Sequence, residues 1–192
     1  MKKAISVIDN PDVAKILADP MRRLILNILA DNMCTEMQLA RRLGVSDPLV
    51  AHHMKMLKIA GVVSVAKTEA ESHGILQKFY EPTAMCYIVD YDKLQPDLKR
   101  YFFAVYLERL RGILCALRYM GEFSQEVSSE MIEQLAETMA RAIVPVARKM
   151  SDMPLKNSRE EIIVELFSKT LAVINLLGSP VSGMRYRRGV KK

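Results

Sequence analysis

Apolar residues recur at helical spacing through most of the first sixty positions, alternate with polar ones for about the next twenty, and then return to helical spacing as far as residue 177. Asp9 or Asn10 followed by Pro11 predicts a short helix holding Val13, Ile16 and Leu17. Asp19-Pro20 repeats that signal. In the helix it opens, Leu24, Ile25, Ile28 and Leu29 form the inward stripe, with Arg22, Arg23 and Asn27 left outside. Met33-Cys34 reads as a short extended piece. Thr35 and Gln38 are spaced as a capping box, so a helix is predicted from 35 to 43, closed at Gly44, where a left-handed conformation meets no Cβ clash. A second helix, 46–60, is capped by Ser46 or Asp47 and has Pro48 in its first turn. Val50, Met54 and Leu57 fall on its inner line. Pro48, His52, Lys55 and Ile59 fall on the opposite face, flanked by Leu49 and Met56, and an apolar Ile59 there predicts a covering segment.

After Gly61 the period shifts to two. Val62 to Thr68 predicts a strand, Glu69 to Gly74 a loop, and Ile75 to Glu81 the returning strand, stopped by Pro82. Helices followed directly by a β-hairpin make a winged helix-turn-helix, whose second linked helix can enter a DNA major groove while the hairpin lies along phosphates or a minor groove. Taken alone, the two linked helices could equally belong to an ordinary all-α core. On the DNA-binding reading the contacts come from Ser46, Pro48, Leu49, Ala51, His52, Lys55 and Lys58 on helix 46–60 and from Lys67, His73 and Lys78 on wing 62–82. His52 and Lys55 carry polar ends that reach base edges or phosphates, and Leu49 can touch a thymine methyl. Asp47 is a helix cap before it is a cytosine acceptor. His53, on the flank of the inner line, reads as a packing histidine, and Arg22, Arg23, Arg41 and Arg42 as a charged outer face.

Four segments carry a resemblance: Leu17-Ala-Asp-Pro-Met-Arg-Arg-Leu-Ile-Leu26, Leu39-Ala-Arg-Arg-Leu-Gly-Val-Ser46, Val50-Ala-His-His-Met-Lys-Met-Leu-Lys58 and Ala60-Gly-Val-Val63. Their order and spacing resemble the winged-helix domain of ArsR-type transcriptional regulators over about residues 10–84. The resemblance implies a homodimeric regulator that binds double-stranded DNA and, in the usual mode of that family, represses by occupying an operator. Leu49 and Ala51 depart from it, standing where the family often carries Ser or Thr, which takes hydroxyl contacts away at those positions.

Residues 1–10 read as a lead-in and 85–96 as a connector. Three long helical patterns follow. Leu98, Tyr101, Phe102, Val105, Leu110, Leu114 and Leu117 mark the first. Val127, Met131, Leu135, Met139, Ile143, Val146 and Met150 mark the second, with Pro145 predicting a kink. Ile162, Ile163, Leu166, Phe167, Leu171, Ile174 and Leu177 mark the third. No family is recognisable in this half. Long amphipathic helices after a winged helix most often form a dimerisation bundle, and Met120, Met131, Met139, Met150 and Met153 could be its core or surround a small apolar effector. The predicted fold is therefore mainly α, with α+β character at the wing. A winged helix-turn-helix domain (1–84), a connector (85–96), a helical dimerisation domain (97–178) and a flexible basic tail (179–192) make up the chain.

Half of the residues are hydrophobic and 26% charged, as in soluble globular proteins. The formal net charge of +6 suits an anionic partner. It divides as +2 over 1–84 and +4 beyond, and Arg185, Arg187, Arg188, Lys191 and Lys192 account for the second excess. Three widely spaced cysteines, Cys34, Cys86 and Cys115, suit free thiols in the cytoplasm. Cys34, near a helix start, is either a reactive thiolate or a buried inert thiol. There is no CxC or CxxC pair and no His beyond His73, so no metal site or other cofactor is expected. Phosphate-loop, GxSxG and HExxH motifs are missing, which argues against an enzyme. No apolar run reaches membrane-spanning length, so no membrane partner is expected. The competing reading is a winged-helix protein-docking module without sequence-specific DNA binding.

Overall fold

In the computed structural model, residues 2–70, 76–121, 127–151 and 158–176 are described. His73, Met153 and the basic tail lie outside them. The first helices follow from their caps. Asn10 accepts from the Asp12 amide at 2.8 Å and opens α1 (Pro11–Ala18), and Asp19 accepts from the Arg22 amide at 3.0 Å and opens α2 (Pro20–Asp31). Thr35 and Gln38 form the reciprocal capping box at the start of α3 (Glu36–Leu43), with bonds of 3.2 and 3.0 Å. Gly44 ends that helix at φ 66°. α4 (Asp47–Ile59) follows after two residues, and Gly61, at φ 69°, turns the chain into β2 (Val63–Ala70). β2 pairs antiparallel with β3 (Leu76–Pro82), Val65 opposite Tyr80 and Thr68 opposite Lys78. Cys34 forms the expected extended piece as an isolated bridge to Tyr80.

Ile25, Leu29, Leu39, Val50, Met54, Leu57, Val63 and Tyr80 form one buried core between these elements. In α2 the inward arc is rotated from the predicted one: Leu24 is 47% exposed, whereas Leu26 is buried. The helix packs against α1, α4 and β3 at once, so residues 25, 26, 29 and 30 face protein and 24 does not. Arg22 and Arg23 are likewise not a solvated outer face. The Arg22 guanidinium donates to the Ile16 carbonyl at 3.1 Å, and Arg23 donates to the Tyr101 hydroxyl at 2.6 Å.

The lead-in and the connector are both corrected by the structure. Residues Lys3–Ile8 form β1 and Ala84–Val89 form β4, and the two pair in parallel, Lys3 opposite Ala84 and Ile8 opposite Val89. This small sheet joins two cores. Ile8, Tyr87 and Val89 pack with the winged-helix core, while Ile5 and Ile88 pack with Ile143, Val146 and Leu166 of the C-terminal helices. Only the short turn Tyr91–Lys93 and its flanks behave as a connector.

α5 (Pro96–Tyr119), α6 (Ser129–Met150) and α7 (Arg159–Leu176) form the C-terminal half, with α5 and α7 each packed against α6. α6 runs on through Pro145, which lies on its exposed side. Met139 and Met150 are core residues, whereas Met120 and Met131 are exposed, so these methionines do not gather around one site. In α7 Leu171 is 43% exposed and Thr170 takes the buried place expected for it; its hydroxyl donates to the Leu166 carbonyl at 2.7 Å, which makes the burial tolerable.

Polar ties join the halves as well. Arg148 of α6 donates to both carboxylate oxygens of Asp9 and, at 3.1 Å, to Asp90, so the ends of β1 and β4 share one guanidinium. That hydrogen bonding holds the Asp9 carboxyl below its ordinary value. Arg159 of α7 donates to Asn27 of α2 at 2.6 Å. Among the described residues no helix is long and apolar enough to cross a membrane.

Candidate nucleic-acid interface

α4 has two unlike faces because three of its side chains are needed inside. Val50, Met54 and Leu57 are fully buried, and each contributes about 1.5–3 kcal/mol by leaving water. Ser46, Pro48, Leu49, Ala51, His52, Lys55 and Lys58 are exposed together on the other side. Ser46 occupies the cap position, yet its side chain makes no capping bond, so its hydroxyl stays available at the helix start. Ile59 is 69% exposed, and no described segment covers it, contrary to expectation.

The cations of this surface fall into two groups. Lys55 and Lys78 are exposed and have no ion-pair partner among the described residues. Lys58 and Lys67 are engaged. The Lys58 ammonium lies 3.0 Å from Glu36 at the start of α3 and 5.0 Å from the centre of the Tyr80 ring. Burial alone would lower its pKa, but the Glu36 carboxylate and then Tyr80 outweigh that and raise it. Lys67 pairs with Glu69 at 2.6 Å and lies over the Phe79 ring at 4.6 Å. Arg42 is exposed, and Arg41 rests on Met37 Sδ at 3.4 Å. The exposed face of α4 and the wing can therefore offer donors and positive charge to an extended anionic surface.

His53 is a packing histidine, as its place in the pattern implied, but not a satisfied one. It is 9% exposed, its Nδ1 has no hydrogen bond, and the nearest carboxylate oxygen, on Asp19, is 3.9 Å away. Burial pushes the imidazole below its ordinary value of 6.5, with Asp19 opposing and Arg22 and His52 adding to the shift. A group that is harder to protonate in the folded state favours folding above its unfolded pKa. That contribution is lost as pH falls through 6.5 towards the lowered folded value. Wild-type stability in urea is expected to fall between pH 7 and pH 5, and His53→Gln is expected to reduce this dependence. An identical pH profile in the variant would show that His53 does not carry it.

The Cys34 thiol is buried and donates to the Asn32 carbonyl at 3.4 Å. Burial raises its pKa, more than nearby Arg42 lowers it, so Cys34 is the inert thiol of the two alternatives. Sequence reasoning missed the commitments of Lys58 and Lys67. Glu69, two positions from Lys67, was the one nearby signal; Glu36 lies 22 residues from Lys58 and gave none.

Comparison with known proteins agrees with this geometry. Residues 19–65, from the cap of α2 into β2, match the family described as bacterial regulatory protein, arsR family. A stretch of 53 residues is 38% identical to the transcriptional repressor SdpR of Bacillus subtilis (strain 168), covering 28% of this chain and 59% of that protein. The solved structure of reduced HlyU from Vibrio cholerae N16961 is 24% identical, with a TM-score of 0.31, over 46% of this chain and 76% of that one. Residues 19–65 are thus similar to the arsR family of bacterial regulatory proteins, and the fold built around them is a winged helix.

Proposed function

We propose that the protein is a DNA-binding transcriptional regulator that acts as a homodimer and represses by occupying operator DNA. The observation that carries the proposal is the outer face of α4. It leaves Ser46, His52 and Lys55 exposed, with no side-chain hydrogen bond or ion pair among the described residues, within the span that matches a family of regulatory proteins. On this reading α4 enters the major groove and reads base edges, and Lys78 on the wing touches the backbone. The repressor named among the relatives favours repression as the sign of regulation.

Residues 97–178 supply the dimer contact on this reading. Ile113, Tyr119 and Met120 on or just after α5 and Val164 and Leu171 on α7 are exposed, more apolar surface than the intramolecular core uses. A two-fold axis would place two recognition helices about 34 Å apart, facing successive major grooves. Sedimentation of the full chain is expected to give a dimer at micromolar concentration, and Ile113→Glu with Val164→Glu is expected to shift it towards monomer. A monomeric wild-type protein would remove the dimer from the proposal.

Selection of bound sequences from random duplex DNA tests the central claim. A conserved pair of half-sites one helical turn apart is the expected outcome. Binding that follows salt alone and enriches no sequence would overturn it and favour docking to an acidic protein surface.

A further inference from the structure

Lys58 lies on the exposed side of α4, where a phosphate contact would be the ordinary assignment. Its surroundings argue otherwise. The ammonium is held between Glu36 Oε1 at 3.0 Å and the Tyr80 ring at 5.0 Å. Glu36 is the first residue of α3. Tyr80 is a buried residue of β3, and its backbone exchanges hydrogen bonds of 2.9 and 3.3 Å with Cys34 in the segment leading into α3. One side chain from the last turn of α4 thus meets the start of α3 and the inner strand of the wing.

We infer that Lys58 is a positioning residue, a clamp that sets the angle between the recognition helix and the wing rather than a contact to nucleic acid. This rests on the reading of α4 as the recognition helix, and it makes opposite predictions from a phosphate contact. A cation bound to its own carboxylate has no counterion-releasing role, so its loss leaves the salt dependence of binding almost unchanged. Removing the Glu36 charge makes the surface more positive, which would strengthen binding if Lys58 touched phosphate. If Glu36 is one jaw of the clamp, that change weakens binding instead.

The test uses the full chain with Lys58→Met, Lys58→Arg, Glu36→Gln and the double variant Glu36→Gln/Lys58→Met, on a duplex selected with the wild type. Lys58→Met and Glu36→Gln are each expected to lower affinity about fivefold, the upper end for a partly exposed pair. The double variant should lose no more than either single one, because both break the same clamp. Lys58→Arg, which can keep the carboxylate and the ring, should bind like the wild type. The logarithmic salt slope should be unchanged in Lys58→Met, whereas a lost phosphate contact would reduce it by about 1. Tighter binding by Glu36→Gln, or a reduced slope in Lys58→Met, would overturn the inference. Hydrogen exchange on the DNA-free variants gives a reading independent of DNA. Faster exchange at the end of α4, the start of α3 and in β3 supports the clamp, and unchanged exchange refutes it. If the wild type selects no duplex, the proposed function fails, while the exchange result still decides the clamp.

Discussion

Lys55→Ala and His52→Ala are each expected to weaken binding to a selected operator by about fivefold to a hundredfold, with no change in thermal stability. The range follows from the worth of a well-made base contact, about 1–3 kcal/mol of discrimination. The unchanged stability follows from position: both side chains are exposed, opposite Val50, Met54 and Leu57, so their removal opens no cavity. The His52 ring does touch His53, edge to face with centroids 5.5 Å apart, but that contact lies at the margin of the core. Lys55→Ala should also relax preference at one or two base positions if the lysine reads bases, or flatten the salt slope uniformly if it binds phosphate. Wild-type affinity in both variants at fixed salt would take α4 out of the reading role.

Ile5→Ala is expected to destabilise the whole chain by about 2–5 kcal/mol, the range for a large-to-small change at a fully buried site. The measurement is the urea midpoint, with Lys3→Ala on the same strand, exposed, as the near-silent control. If residues 1–10 were only a lead-in, both variants would be silent. The same geometry bears on truncation. Ending the chain at Pro96 would strip α6 from Ile5 and Ile88 and take Leu98 and Phe102 away from the winged-helix core. Such a fragment is expected to melt well below the full chain, so assembly is better measured on the intact protein. A fragment as stable as the full chain would show that the sheet contributes little.

The elements specified by local chemistry were legible in the sequence. A capping box closes within one turn, Gly44 and Gly61 answer a backbone demand at single positions, and the Pro11 and Pro20 signals need only their neighbours. The change of period after Gly61 likewise marks β2 and β3 because a hairpin pairs adjacent segments. Since the family match lies within this locally specified part, the fold of residues 19–65 and the exposed face of α4 could be read without coordinates.

Tertiary structure decided everything that depends on a distant partner. β1 and β4 are six residues each and pair in parallel across some eighty positions, so neither carries a signal until the other is beside it. Leu24 and Leu26, or Thr170 and Leu171, are adjacent on their helices, and which is buried depends on how many neighbours the helix has and where they stand. Lys58 and Lys55 are alike in sequence, three positions apart on one helix. Only the arrival of Glu36 and Tyr80 commits one of them to the fold, because Coulomb attraction and cation–π contact act over a few ångströms in space, whatever the separation along the chain.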